Sequence, residues 1–328
     1  MPLMTDFLVD LASVRDAAIR IAPFAHRTPV MTCATLDRLA GCELFFKCEN
    51  FQRVGAFKFR GACNAVMKLS DEVAARGVVT HSSGNHAQAL ALAASIRGIT
   101  AHIVMPRNAP KCKQEAVAGY GGKIYLCEPN LPARKALTAE VVAATGAELI
   151  PPYDHPDIIA GQGTIALELF EQVGGVGLDA IIVPVGGGGM TSGIALAAKS
   201  LDPSIRIIAA EPLGADDVAR SLRAGVLIEQ TSPNTIADGL LTSLSEITWS
   251  IIRENVERVI TVREDEIIRA MRLVFERMKI VIEPSSAVAF AVAMSDEFRS
   301  LGLGHGGIRR AGVILSGGNV DLDKLPWM

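Results

Sequence analysis

Apolar positions along the chain follow two patterns that take turns. Short runs rich in Val, Ile, Leu, Ala and Phe at 43–47, 77–81, 100–105, 123–126, 147–150, 179–185, 205–210 and 311–315 read as strands. Between them, stretches at 5–22, 58–69, 85–97, 110–119, 132–144, 189–200, 264–279 and 285–298 carry helical patterns. In the first of these, Phe7, Leu8, Leu11, Val14, Ala18 and Ile21 recur at helical spacing behind Thr5 and Asp6, a helix-start signal. In the second, Ala62, Ala65, Val66 and Leu69 share a face. Strands alternating with helices of this length predict an α/β protein, with parallel or mixed sheets covered by helices on both faces. The series at 77–150 reads as a unit of its own. The expected organisation is therefore two domains: a large one from 1–70 and 155–328, and a small inserted one over 75–152.

Composition narrows the picture. Hydrophobic residues make up 49% of the 328 positions against 20% charged, which suffices for a large core, and 5% aromatic content points to aliphatic packing. A formal charge of −3 with no basic block argues against nucleic acid as a partner. The six cysteines, Cys33, Cys42, Cys48, Cys63, Cys112 and Cys127, show no C-x-x-C pair or zinc-like spacing, so free thiols are expected. No apolar run reaches membrane-spanning length, and Met1 to Asp6 lack the charge-then-apolar order of a leader. A soluble, cytoplasmic protein is the expectation.

Ligands of such folds sit beyond the carboxyl ends of strands, which directs attention to four segments. Lys58 stands between Phe57 and Phe59. Apolar surroundings lower an ammonium's pKa, and the neutral amine can form a Schiff base with an aldehyde; a stem that snorkels past an apolar face is the plainer alternative. Gly186, Gly187, Gly188 and Gly189, followed by Met190, lie between an apolar strand and a helix. Bare backbone N–H groups beside a helix N-terminus make a phosphate cradle. No Gly-Lys-Ser/Thr follows, so this is not a P-loop. Thr191 or Ser192 stands where G-x-G-x-x-G needs its last glycine, yet Glu211 after the next strand imitates a ribose-binding acid, which keeps a nicotinamide dehydrogenase open. The turn from His81 through Ser82, Ser83, Gly84 and Asn85 to His86 suits a small anion such as a carboxylate, or else caps a helix. Ser316 opens a Ser-Gly-Gly turn after the last strand.

In combination these segments resemble the serine/threonine dehydratase and serine racemase family of fold-type II pyridoxal phosphate enzymes, whose architecture is tryptophan synthase β-like. The resemblance rests on Lys47-Cys48-Glu49-Asn50-Phe51-Gln52 running into Gly55-Ala56-Phe57-Lys58-Phe59-Arg60-Gly61. It continues through Ser82-Ser83-Gly84-Asn85-His86, Ala160-Gly161-Gln162-Gly163-Thr164, Gly186 to Met190, Thr235-Ile236-Ala237-Asp238-Gly239 and Ser316-Gly317-Gly318-Asn319. Ala56 points to the serine racemase and 3-hydroxyaspartate dehydratase branch.

The resemblance implies that Lys58 binds pyridoxal 5′-phosphate and moves the Cα proton, with Ser83 as the acid/base on the opposite face. Phe57 would lie against the pyridine ring, Asn85 would bond its phenolic oxygen, and Ser316 would face its nitrogen. Gly186, Gly187, Gly188, Gly189 and Met190 would hold the phosphate. Ser82, Ser83, Asn85 and His86 would bind the substrate carboxylate, with Arg134 and Thr242 near the side chain. Glu211, Ala215 and Asp217 would hold Mg²⁺, or Ca²⁺ or Mn²⁺. The implied reaction is β-elimination from a hydroxy amino acid, 3-hydroxyaspartate first, with serine or threonine possible and serine or aspartate-type racemisation as the alternative. A homodimer is the implied assembly, and a silent binding protein of the same fold is the remaining rival.

Overall fold

The computed structural model describes residues 9–82, 84–109, 111–302 and 307–328, apart from the side chains of Cys112 and Leu131. Among the described residues, ten strands form two sheets: β1 Val30–Met31, β2 Glu43–Cys48, β3 Val78–His81, β4 Ala101–Pro106, β5 Lys123–Cys127, β6 Glu148–Leu149, β7 Ala180–Pro184, β8 Arg206–Pro212, β9 Arg258–Val262 and β10 Arg310–Leu315. The larger sheet has the order β1-β2-β10-β7-β8-β9 and the smaller β5-β4-β3-β6. All pairings are parallel except β1 with β2, so the sheets are parallel and mixed as the periodicity predicts.

Strand alternation splits the large core in two. Ala180 and Ile182 of β7, Ile208 and Ala210 of β8, and Ala311, Val313 and Leu315 of β10 face a layer containing helices Glu264–Met278 and Pro284–Ala293. Their neighbours Ile181, Val183, Ile207, Ala209 and Ile314 face helices Leu11–Ile21, Pro156–Val173 and Gly189–Leu201. A third cluster packs the smaller sheet against the helix that follows β2: Phe59, Ala62, Cys63 and Val66 of helix Lys58–Lys68 lie with Leu90 and Ala94 of helix Asn85–Arg97 and Ile103 of β4.

Helix Pro156–Val173 escapes the periodicity reading because its first turns are buried all round and carry Gly161 and Gly163. Both glycines serve close packing. A Cβ on Gly161 would stand 2.6 Å from the Gly61 Cα, and one on Gly193 2.6 Å from the Gly163 nitrogen. Backbone-to-backbone crossings of this kind override the poor helix propensity of glycine. The helix expected over 285–298 instead ends at Ala293, and Ser295 caps a separate helix, Asp296–Ser300. Residues 5–8 of the expected opening helix lie outside the described residues. Cys33, Cys42, Cys48, Cys63 and Cys127 are free thiols.

Candidate active site

The strand order of the larger sheet reverses between β10 and β7, and that of the smaller between β3 and β6. Both are crevices where ligands of open α/β sheets bind. The carboxyl ends of β2, β10 and β7, neighbours in one sheet, lead to Lys58, Ser316 and the glycine turn.

The Lys58 loop is tied directly to the end of β10. Ala56 bridges Gly317, and the Phe57 N–H donates to the Ser316 carbonyl at 3.0 Å. Lys58 then opens its helix, and its Nζ donates at 2.7 Å to the carbonyl of Pro152, just beyond β6. The same nitrogen lies 5.1 Å from the centre of the Phe57 ring. Burial pulls the Lys58 amine down to about 8, against the opposing fields of Asp154 and Glu283. Half-burial of this side chain therefore has a chemical consequence: a neutral amine is accessible near physiological pH.

At the glycine turn, Gly188 has φ +85° and caps helix Gly189–Leu201. The backbone N–H groups of Gly186, Gly187, Gly188, Gly189 and Met190 find no acceptor among the described residues. Side chains are excluded by contact. A Cβ on Gly187 would stand 2.4 Å from the Tyr153 ring, and one on Gly189 2.6 Å from the Tyr153 carbonyl oxygen. Free donors, a helix N-terminus and a wall without side chains fit a phosphate group.

The turn after β3 arrives from the opposite side. His86 is buried, and its Nε2 meets the Ile150 carbonyl at 3.1 Å. Burial, followed by the field of Lys58, holds this imidazole at about 3, so it stays neutral and donates from Nε2. Nδ1 is then an acceptor, and it has no partner among the described residues. Asn85 Nδ2 donates to both oxygens of Glu283, at 2.9 and 3.1 Å. Ser82 Oγ receives the Gly84 N–H at 3.4 Å. Ser83 lies outside the described residues. Arg134 is half-buried and forms no ion pair among the described residues; the pKa of His81 at the end of β3 is depressed by burial first and then by the charges of Arg134 and Lys135. Thr242 is exposed and makes no side-chain hydrogen bond among them.

Glu283 has no signature in the local sequence, since an acid before a Pro-Ser-Ser helix start reads as an ordinary cap. It is buried, and burial together with Asp238 pushes its carboxyl up to about 7. Pro152 is equally invisible beforehand, because it contributes only a carbonyl.

Half of the lysine motif turns out to be scaffold. Arg60 is fully buried and held by two carboxylates, Glu49 at 2.7 and 2.9 Å and Glu168 at 2.7 and 2.8 Å. Lys47 donates to Glu168, Gln172 and the Thr28 carbonyl at 2.6, 2.8 and 2.7 Å. Gln52 and Gln162 bond backbone groups of His26 and Gly61. These contacts fix the helix that Lys58 begins.

Away from the crevice, Glu211 and Asp217 are buried near one another. Burial raises them to about 8 and about 6. Glu211 receives the N–H groups of Val218 and Ala219, both at 2.9 Å, while Asp217 Oδ2 has no partner among the described residues. Asp216 pairs instead with Arg220. No group of three or more His, Cys, Asp or Glu side chains forms a metal cluster among the described residues, so carbonyls and water would complete any coordination.

A lysine with a lowered pKa after β2 and a glycine turn with free N–H donors after β7 suit an enzyme that holds a phosphorylated aldehyde. The chain belongs to the pyridoxal-phosphate dependent enzyme family, whose model matches residues 21–317. It is 53% identical to a serine racemase of Arabidopsis thaliana, covering 97% of this chain and 96% of that one. A β-hydroxyaspartate dehydratase of Paracoccus denitrificans is 51% identical over 94% of this chain and 95% of its own length. The solved structure of maize serine racemase superposes with a TM-score of 0.93 at 51% identity, covering 97% of this chain and 95% of that one. The fold-type II expectation and the branch are thus both met, and the nicotinamide reading gives way to this membership.

Proposed function

We propose that this enzyme eliminates water and then ammonia from 3-hydroxyaspartate, giving oxaloacetate. The observation that carries the substrate choice is Arg134, a guanidinium with no ion pair among the described residues whose field reaches the end of β3. A planar fork of this kind suits the second carboxylate of a dicarboxylic amino acid, and a relative at 51% identity is named for that substrate.

Bound pyridoxal phosphate supplies an electron sink that acidifies the substrate Cα–H. The protein's part follows from its own groups. The N–H groups of 186–190 would hold the phosphate, Phe57 would pack on the ring, and Ser316 would offer the ring nitrogen a hydroxyl. A hydroxyl holds that nitrogen's proton less firmly than a carboxylate would, which favours prompt loss of the β-hydroxyl. Lys58, about half of it neutral at pH 8, would take the Cα proton. Ser82 and Asn85 line the carboxylate turn, and His86, whose Nδ1 can only accept, would take an N–H or O–H there and not the carboxylate itself; Thr242 would join Arg134 near the substrate side chain. The released product tautomerises, and water replaces its nitrogen: one water leaves and one enters, so the net change is loss of ammonia.

Racemisation is the second reading, favoured by the serine racemases at 53% and 51% identity. It requires a proton donor on the other face, the role assigned here to Ser83. We also infer a divalent cation held by Glu211, Asp217 and the Ala215 carbonyl, since two buried acids with raised pKa values stand together and neither forms an ion pair among the described residues. A homodimer of two-domain subunits, divided at 1–70 with 155–328 and 75–152, is the assembly that the family resemblance implies.

Steady-state assays test the substrate. The expected kcat/KM is higher for 3-hydroxyaspartate than for serine, with Arg134→Ala lowering the former about 100-fold, the scale of a lost charge pair, and the latter by less than about threefold. Equal losses on both substrates would remove the β-carboxylate role.

A further inference from the structure

Where the two sheets meet, three polar side chains form one continuous chain of hydrogen bonds. Asn319 Nδ2 donates to the Val54 carbonyl at 2.7 Å and to Asn85 Oδ1 at 2.9 Å. Asn85 Nδ2 donates to both Glu283 oxygens, and the Asn319 backbone N–H donates to Glu283 Oε2 at 3.2 Å. The Val54 carbonyl at one end, an acceptor that never titrates, orients both amides. A peptide carbonyl only accepts, so Asn319 must turn its nitrogen toward Val54. The second hydrogen of that nitrogen then falls on Asn85 Oδ1. With its oxygen taken, Asn85 must present its nitrogen to Glu283. The two Glu283 oxygens lie in one direction and share one hydrogen, which leaves the other Asn85 N–H for a ligand.

The residue Asn319 binds at its far end is itself unusual. Val54 has φ +55°, a left-handed conformation that a β-branched side chain rarely adopts. Gly55 follows at φ +68°, and a Cβ there would stand 2.9 Å from Asn319 Oδ1. This strained turn is the last bend before Ala56, Phe57 and Lys58. Losing Asn319 would orphan the carbonyl that holds the bend.

We propose that Asn319 is a positioning residue for the cofactor site: its side-chain amide, anchored on the Val54 carbonyl, locks the Asn85 carboxamide with an N–H facing the cofactor ring. The proposal rests on the reading that Asn85 meets the ring's phenolic oxygen. Glu283 by itself does not enforce the orientation. Once protonated, a carboxylic acid can donate to an amide oxygen as well as accept from an amide nitrogen, and this carboxyl titrates at about 7. The charged groups whose fields reach it are Asp238, Lys113 and Lys58. Asn319, an obligate donor at Asn85 Oδ1, keeps the amide in one orientation across that titration.

The test is the absorbance of the purified holoenzyme across pH 6 to 9, roughly a unit or two either side of the Glu283 titration. Variants are Asn319→Ala, the isosteric Asn319→Asp that cannot donate, Asn85→Ala, and the double alanine variant. In both Asn319 variants the ratio of the long- to the short-wavelength cofactor bands is expected to change about fivefold or more, the scale of one lost hydrogen bond. The ratio should also become pH-dependent where wild type is flat, and the double variant should match Asn85→Ala alone. Wild-type spectra in Asn319→Asp at every pH, or additive effects in the double variant, would overturn the proposal even with a lowered Tm. A wild-type protein without a visible band, or a Lys58→Ala variant that keeps it, would instead overturn the cofactor reading beneath it.

Discussion

Lys58 Nζ lies 2.7 Å from the carbonyl oxygen of Pro152, a bond between residues 94 positions apart. Lys58 follows β2 of the larger sheet and Pro152 follows β6 of the smaller, so one nitrogen marks where the two crevices become a single site. The contact also gives the amine an acceptor while its pKa is lowered, so the neutral form keeps one N–H occupied and its lone pair directed elsewhere.

The rate at which apoprotein captures pyridoxal phosphate should rise with pH through a midpoint near 8 rather than 10.5. A lysine titrating at 10.5 is only about 0.3% neutral at pH 8, whereas half of Lys58 would be neutral there. Stopped-flow absorbance reads the midpoint, and Lys58→Ala should abolish the visible band altogether. A midpoint above 10 would mean that burial does not tune this amine.

Glu283 should make the apoprotein less stable as pH rises. Its carboxyl titrates at about 7 in the fold against 4.5 unfolded, with burial the main cause. A group whose folded pKa is raised contributes fully below the unfolded value and loses that contribution as pH climbs through the folded one. Glu283→Gln, which never ionises, should therefore gain in Tm relative to wild type between pH 5 and pH 8, roughly the span of those two values. Parallel Tm curves for the two proteins would contradict this.

Replacing Arg60 should be among the most damaging changes outside the crevice. Arg60→Met leaves Glu49 fully buried without its partner, a loss of about 3–5 kcal/mol in stability. Arg60→Lys should recover little of it, because one ammonium cannot hold two carboxylates bidentately. Urea unfolding measures both, and a Lys variant within about 1 kcal/mol of wild type would show that the fork geometry is dispensable.

Mg²⁺ should raise the Tm of metal-stripped protein. Saturation at a hundred times Kd corresponds to about 2.7 kcal/mol of stabilisation. Asp217→Asn should remove the response by taking away one anionic ligand. An unchanged Tm on adding Mg²⁺, Ca²⁺ or Mn²⁺ to wild type would dispose of the cation site.

Several positions were legible without coordinates because their signal is local. The glycine turn is one: four glycines between an apolar strand and a helix can hardly be anything but bare backbone. Helix Pro156–Val173 was not, because a helix buried around its first turns loses the amphipathic stripe that marks helices, and its glycines read as breakers until Gly61 and Gly193 are seen against them. Strand β9, five residues with an exposed first position, offers too little pattern to separate from a loop. Arg60 and Lys47 look like surface charges in sequence, since nothing local announces that Glu168 will arrive to neutralise both.

The sequence by itself determined the alternation of strands and helices, the lysine between two phenylalanines and the bare glycine turn, all consequences of side-chain periodicity and backbone sterics over a few residues. Tertiary structure decided which turns face one another. Strand order put β10 between β2 and β7, and thereby set Lys58, Ser316 and the glycine turn side by side. Pro152, Glu283 and Asn319 joined them through contacts spanning 94 to 265 positions. Pro152 and Glu283 leave no local trace, and Asn319, though it ends the Ser-Gly-Gly-Asn turn, shows no role there, because such roles depend on the fold that brings the partners together and not on the residues beside them.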